Sequence, residues 1–161
     1  MLFRSSLGTP QLSMLPLLDS ALRIFPGDTT LIKTKNAILS GNNNNSNITF
    51  YQTYQKAISY FSNREFNKAI NEFNKAWDME NQYLCLENIG LCYYSTARYK
   101  EAINYFEKVI ETGKSNDGKA EFFKGASLIS LGKAPEACPF LKIAQKKNYA
   151  EAKQFINNYC K

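Results

Sequence analysis

The sequence predicts an all-α fold in which antiparallel pairs of helices stack into a solenoid. Three observations lead to this prediction: a repeat with a period of about 34 residues, apolar residues spaced three and four apart, and small residues set against large ones. The repeat occurs at about residues 50–81, 83–114 and 118–148. Each unit is long enough for two helices, and such pairs stack because neither can bury its apolar face alone.

A small-to-large pattern recurs within each repeat. In the predicted first helix a small residue precedes a large one by three positions, and in the second helix an alanine precedes a large residue by four. The small residues are Ala57, Gly90 and Gly125, and the alanines are Ala69, Ala102 and Ala137, which lie 33 and 35 residues apart. A small residue facing a large one lets two helices approach closely and interlock.

Residues 149–160 predict one more amphipathic helix after the third repeat. Its apolar stripe consists of Tyr149, Ala152, Phe155, Ile156 and Tyr159. A stack of repeats needs a terminal helix with a polar outer face to cover its last apolar surface. We therefore expect a capping helix here, and a repeat domain that spans residues 49–161.

Residues 1–48 predict a degenerate or truncated helix pair. Residues 17–26 have the pattern that ends a second helix, and residues 29–39 have that of a following first helix, with Asp28 or Thr29 as its N-cap. The run GNNNNSN then stands where another helix would follow, and its composition predicts a flexible loop. Such a pair is also what the edge of a longer array would leave, so the chain can be interpreted as a fragment of one.

These repeats resemble the tetratricopeptide-repeat (TPR) family over roughly Thr49 to Lys161. The resemblance implies a right-handed α-solenoid, and a non-catalytic scaffold that binds a partner protein or peptide in the concave groove lined by the first helices. Lys56 and Lys124 depart from the pattern, because the family usually has leucine there. We expect their aliphatic stems to pack while their amines reach water.

The predicted groove is rich in aromatic and apolar side chains, which mark binding surfaces when exposed. The candidate partner-binding residues are Tyr51, Tyr54, Ile58, Phe61, Glu87, Asn88, Leu91, Tyr94, Lys119, Phe122 and Ile129, with Phe123 and Ala126 beside them. The alternative is a structural or oligomerisation segment of a larger TPR assembly, in which the N-terminal helices or a second copy cover these side chains and leave no free groove.

One function of the TPR family can be tested against these residues. Its co-chaperone members grip a C-terminal carboxylate with five cationic or amide side chains on successive first helices. Here Asn88 and Lys119 stand at matching positions, but Tyr54, Ile58 and Phe123 occupy the other three. A carboxylate taken out of water needs its full set of donors, so this sequence does not predict such a clamp.

The composition gives little support for catalysis or for a cofactor. The chain has no histidine, which removes the commonest general base and metal ligand. It has no glycine-rich phosphate loop, no close cysteine pair for zinc and no apolar run long enough to span a membrane. We therefore expect no enzyme activity, no metal and no cofactor.

The net charge of +6 arises mainly at the chain ends. The C-terminal excess consists of Lys142, Lys146, Lys147, Lys153 and Lys161. We interpret these lysines as a solvated helix face. The alternative interpretation is that they bind an acidic partner, RNA or a membrane surface. The sequence has no RNA-binding motif, so nucleic acid is the weaker of these hypotheses.

The four cysteines divide into two pairs. Cys85 and Cys92 lie two turns apart on one predicted helix and are expected in the core. Cys138 and Cys160 would come close together if their helices form a hairpin that turns near Asn148, and a disulfide there would indicate an oxidising compartment such as a bacterial periplasm. The alternative is a pair of reduced thiols in a cytoplasmic protein. The paired ending also resembles the closing segment of many bacterial TPR proteins.

Overall fold

A computed structural model describes residues 14–24, 28–41 and 45–160, and every regular element in these ranges is helical. The helices are α1 (Leu15–Ile24), α2 (Thr29–Gly41), α3 (Asn45–Ser62), α4 (Phe66–Met79), α5 (Tyr83–Ser95), α6 (Tyr99–Glu111), α7 (Lys119–Ser130), α8 (Ala134–Lys146) and α9 (Ala152–Tyr159). The chain divides into two compact units, Met1–Thr49 and Phe50–Lys161, which are described separately below.

The second unit has the predicted helix-pair architecture. Its pairs are α3 with α4, α5 with α6 and α7 with α8, and each second helix packs against the first helix of the next pair. Helix α9 packs on α8 and also touches α7, so it occupies the place of a next first helix and closes the stack. The fold is therefore an all-α helix-pair solenoid, as the sequence predicts.

The core forms where small residues of the first helices face large residues of the second. A Cβ atom built on Gly90 would lie 2.8 Å from the Phe106 ring, and one on Gly125 would lie 2.9 Å from Leu141. Both large side chains are completely buried. The helices of these pairs therefore approach more closely than any side chain larger than hydrogen allows.

The turn inside each pair uses one residue with positive φ. These residues are Arg64, Ala97 and Gly132, with φ values of 60°, 57° and 76°. The amide of the next residue donates a 2.9 Å hydrogen bond to the carbonyl five residues earlier, which is the pattern of a Schellman motif. The reversal of the chain is thus built in the same way in all three repeats.

The first unit contains the helix pair that the sequence predicts before the repeats. The Asp28 carboxylate accepts hydrogen bonds from the amides of Thr30 and Leu31, at 2.8 and 3.1 Å, and so caps the start of α2. Lys35 on α2 forms a 2.6 Å ion pair with Asp19 on α1. The stretch before residue 14 lies outside the described residues.

One local prediction was wrong. The asparagine-rich loop was predicted over residues 41–47, but residues 45–47 belong to α3, which begins at Asn45. Asparagine costs less than about 1 kcal/mol in a helix interior, so a helix that is anchored further along can extend through it. Helix α8 continues through Pro139, although a proline in a helix interior removes a backbone hydrogen bond. Its buried anchors Ala137 and Leu141 lie on either side of the proline and offset the lost hydrogen bond.

We expect Gly90→Ala to lower the free energy of unfolding by about 1–3 kcal/mol, as overpacking of a core does. The added methyl group meets a buried ring that has no room to move aside, so better helix propensity cannot compensate. Urea unfolding followed by circular dichroism measures the change. Asn71→Ala, at an exposed position of α4, is the control and should leave stability within about 0.5 kcal/mol. Equal stability of both variants would contradict the close approach.

Candidate partner-binding face

Successive first helices touch one another along one side of the second unit. The Asn88 side chain on α5 donates a 2.8 Å hydrogen bond to the Tyr54 hydroxyl on α3. Further along, the rings of Tyr94 on α5 and Phe123 on α7 meet edge to face, with centroids 5.0 Å apart. We call the side of α3, α5 and α7 that carries the predicted partner-binding residues the first-helix face.

Four of the predicted residues are buried, contrary to the expectation that they line an open groove. Tyr51 and Tyr54 are each 8% exposed, Phe122 is 5% exposed and Glu87 is 3% exposed. Burial raises the pKa of the Tyr54 hydroxyl. The remaining residues are half-buried: Ile58, Phe61, Asn88, Leu91, Tyr94, Lys119 and Ile129.

Glu87 is buried because Lys119 pairs with it across α5 and α7. The ammonium nitrogen lies 2.8 Å from Glu87 Oε1, and the lysine side chain itself is 29% exposed. A similar pair links α7 to the end of α8, where Lys147 lies 2.6 Å from Glu121 and 2.8 Å from the Ser115 carbonyl. Removing either lysine would leave a carboxylate buried without its counter-charge.

An aromatic cluster fills the C-terminal end of the first-helix face. Phe122 is at its centre: its ring stacks on Tyr149 at 4.7 Å and meets Phe155 of α9 at 4.9 Å, edge to face. Phe123 and Tyr94 continue the cluster towards α5. Burial is the main cause that raises the pKa of Tyr94 and Tyr149. The capping helix thus covers this end of the face.

Comparisons with known proteins agree with this architecture. The family model of the anaphase-promoting complex, cyclosome, subunit 3, matches residues 30–109. The TPR2AB domain of yeast Sti1 in an HSP90 peptide complex superposes with a TM-score of 0.64 at 19% identity, over 69% of this chain and 46% of that one. The first TPR of Spaghetti (RPAP3), bound to the HSP90 peptide SRMEEVD, gives 0.63 at 18% identity, over 69% of this chain and 90% of that one.

The fold is that of the tetratricopeptide repeat. MamA AMB-1 matches over a longer part of this chain, 84%, and over 77% of its own length, with a TM-score of 0.55 and 17% identity. A search of curated protein sequences gave no match. The aligned part of this chain spans less than half of the Sti1 structure, and at these identities the likeness shows the fold alone.

The two residues that match carboxylate-clamp positions, Asn88 and Lys119, already have partners within the chain. Asn88 donates to Tyr54 and to the Leu84 carbonyl, both at 2.8 Å, and Lys119 is paired with Glu87. A peptide carboxylate would have to displace these partners before it could bind. The structure thus adds a second physical argument against a carboxylate clamp.

The two lysines at leucine positions behave differently. The Lys56 side chain is 54% exposed, as expected, and its amine lies 3.2 Å from the buried Glu72. The Lys124 side chain is only 11% exposed; its amine lies 2.8 Å from Glu107 and 3.8 Å from the centre of the Phe140 ring. The stem of Lys124 therefore packs as expected, and its amine has Glu107 and the Phe140 ring as partners.

A groove on the second-helix side was not predicted from the sequence. It has a volume of about 620 Å³ and lies between α6 and α8, with α7 beneath it. Its lining includes Lys124, Glu107 and Phe140, and the Lys124 amine contacts the other two residues. The only signal for this groove in the sequence was Lys124, which stands where the family usually has leucine. Nothing in the sequence indicated that its amine would contact two partners there.

The cysteines fall into the two predicted pairs. Cys138 and Cys160 form a disulfide that joins α8 to the end of α9, with Cα atoms 5.7 Å apart. Cys85 and Cys92 are free thiols without exposed surface, and burial raises the pKa of each to about 12. At neutral pH, thiol–disulfide exchange is therefore expected at the Cys138–Cys160 disulfide and not at the two buried thiols.

Within the described residues, no group of acidic, cysteine or histidine side chains is arranged to hold a metal ion. Over the same residues, none of the helices has the length and apolarity needed to cross a membrane.

We expect Lys119→Ala to reduce the free energy of unfolding by about 1–3 kcal/mol, because Glu87 loses its partner while it stays buried. Denaturant unfolding at pH 7 measures this loss. Lys153→Ala, on the exposed side of α9, removes the same charge and should change stability by less than about 0.5 kcal/mol. The ion pair has no structural role if the two variants unfold alike.

We expect the unreduced protein to titrate two thiols after denaturation and none while folded at pH 8. A thiol with a pKa of about 12 is ionised in roughly one molecule in ten thousand at that pH. Iodoacetamide labelling with mass spectrometry locates the modified residues. Four thiols in the denatured, unreduced protein would exclude the disulfide, and rapid labelling of Cys85 in the folded protein would contradict its burial.

Proposed function

We propose that this TPR chain is a non-catalytic interaction module that holds a partner protein or peptide on its first-helix face. The observation that carries the proposal is a row of half-buried apolar side chains on three successive first helices: Ile58 on α3, Leu91 and Tyr94 on α5, and Ile129 on α7. Apolar patches of this kind, rimmed by polar groups, are typical of binding sites.

The Sti1 and Spaghetti domains, whose structures contain HSP90 peptides, support peptide binding as a general use of this fold. The chemistry of the face favours a different kind of peptide here. Lys119 is neutralised by Glu87 and Asn88 is engaged by Tyr54, which leaves apolar and aromatic contacts as the main attraction. An extended peptide or amphipathic helix with apolar side chains fits such a surface best.

A second candidate function is a structural part of a larger TPR assembly. The burial of Tyr54, Glu87 and Phe122 by the chain's own residues favours it, because a face that is partly closed needs no outside ligand. Size-exclusion chromatography with light scattering distinguishes a monomer from a self-assembling chain. A monomer that captures a partner supports the first function.

We expect the double substitution Ile58→Ser, Leu91→Ser to weaken partner binding by at least tenfold, as the loss of two apolar contacts would. The partner is first captured from native-host extract and identified by mass spectrometry, and its affinity for the variants is then measured by calorimetry. Circular dichroism verifies that both variants fold.

The matched control is Met79→Ser, Ile143→Ser, which removes two apolar side chains that are 43% and 42% exposed on the second helices α4 and α8. It should bind as the wild type does. Equal weakening by the two double variants would place the binding surface elsewhere.

A further inference from the structure

Helix α9 covers the C-terminal end of the first-helix face and packs on α8 through a short apolar stripe. It has eight residues, of which only Ala152 is buried. Helices this short have marginal stability without tertiary contacts. Its cover over Phe122 consists of the half-buried Phe155 ring, so its position depends strongly on what holds its far end.

That far end is held by the Cys138–Cys160 disulfide. The bond closes a loop with a sequence separation of 22 between α8 and the residue that follows α9. Both cysteines are partly exposed, so a small reductant can reach them. The other two cysteines are fully buried. The covalent restraint on α9 can therefore change with redox conditions while the remaining core does not.

We infer that the disulfide is a redox latch: while intact it holds α9 over Phe122, and its reduction opens this aromatic surface to apolar or aromatic side chains of the partner. The inference rests on the proposed partner-binding function, because it concerns the end of the same face. The partner it fits is an amphipathic helix with aromatic residues, since that is the chemistry of α9, which occupies the surface in the latched state.

The reducing step is a thiol–disulfide exchange with a dithiol. One thiolate of the dithiol attacks a sulfur of the pair, the Cys138–Cys160 bond breaks, and the second dithiol sulfur then closes the reductant's own disulfide. Two electrons and two protons pass to the protein, and Cys138 and Cys160 become thiols. The reductant leaves as a cyclic disulfide, and oxidation by another disulfide reverses the step.

Hydrogen exchange with mass spectrometry tests the latch on the full chain. We expect dithiol reduction to raise the exchange rate of α9 amides by about 100-fold, the effect that loop-closure entropy gives for a loop of this length. Amides in the first half of α7, beneath α9, should also exchange faster. Those of α4 should stay unchanged, as an internal reference.

Cys160→Ser is the matched control, because it removes the bond without a reductant. It should match the reduced wild type and should not respond to the dithiol. Equal α9 protection in the oxidised and reduced wild type would overturn the latch. So would a Cys160→Ser variant that keeps the oxidised pattern.

Partner affinity separates this inference from the proposed function. If the latch controls access, the captured partner should bind the reduced wild type and Cys160→Ser at least tenfold more tightly than the oxidised protein. Equal affinity for all three forms, with the Ile58→Ser, Leu91→Ser loss intact, would overturn the latch and keep the function. No loss in that double variant would overturn the function, whatever hydrogen exchange shows.

Discussion

The close approach of two helices at a residue without a bulky side chain is the constraint on which the rest of this structure depends. Phe106 and Leu141 can be completely buried only because Gly90 and Gly125 leave room for them. That contact fixes the distance between the helices of a pair. The next first helix then packs against the resulting surface, so an error in one pair would be passed along the stack.

The same regularity explains why the fold could be predicted and the state of the face could not. Repeats can be recognised from the regular spacing of their small and large residues. The alanines Ala69, Ala102 and Ala137 are all completely buried, as expected. The exposure of Tyr54 or Glu87 depends instead on which distant side chain reaches it. Asn88 and Lys119 are 34 and 32 residues away from those partners, and no local pattern reveals such pairings.

The pairing of the cysteines could be predicted from the sequence, but its structural consequences could not. The hairpin argument placed Cys138 near Cys160 because it needed only two helices and a turn, and the structure shows the turn at Asn148 with φ 64°. The consequences of that proximity were not visible in the sequence. Helix α9 touches α7 as well as α8, so the disulfide at its end also bears on the first-helix face.

The turns inside the helix pairs also show where the stability of this scaffold could be raised. All three need a left-handed residue, but only Gly132 adopts that conformation without strain, while Arg64 and Ala97 hold it with a Cβ atom. Left-handed backbone costs an alanine roughly 1 kcal/mol. Because these turns lie at the ends of the first helices, a protein engineer could use glycine or asparagine there to strengthen the scaffold with limited effect on what its faces recognise.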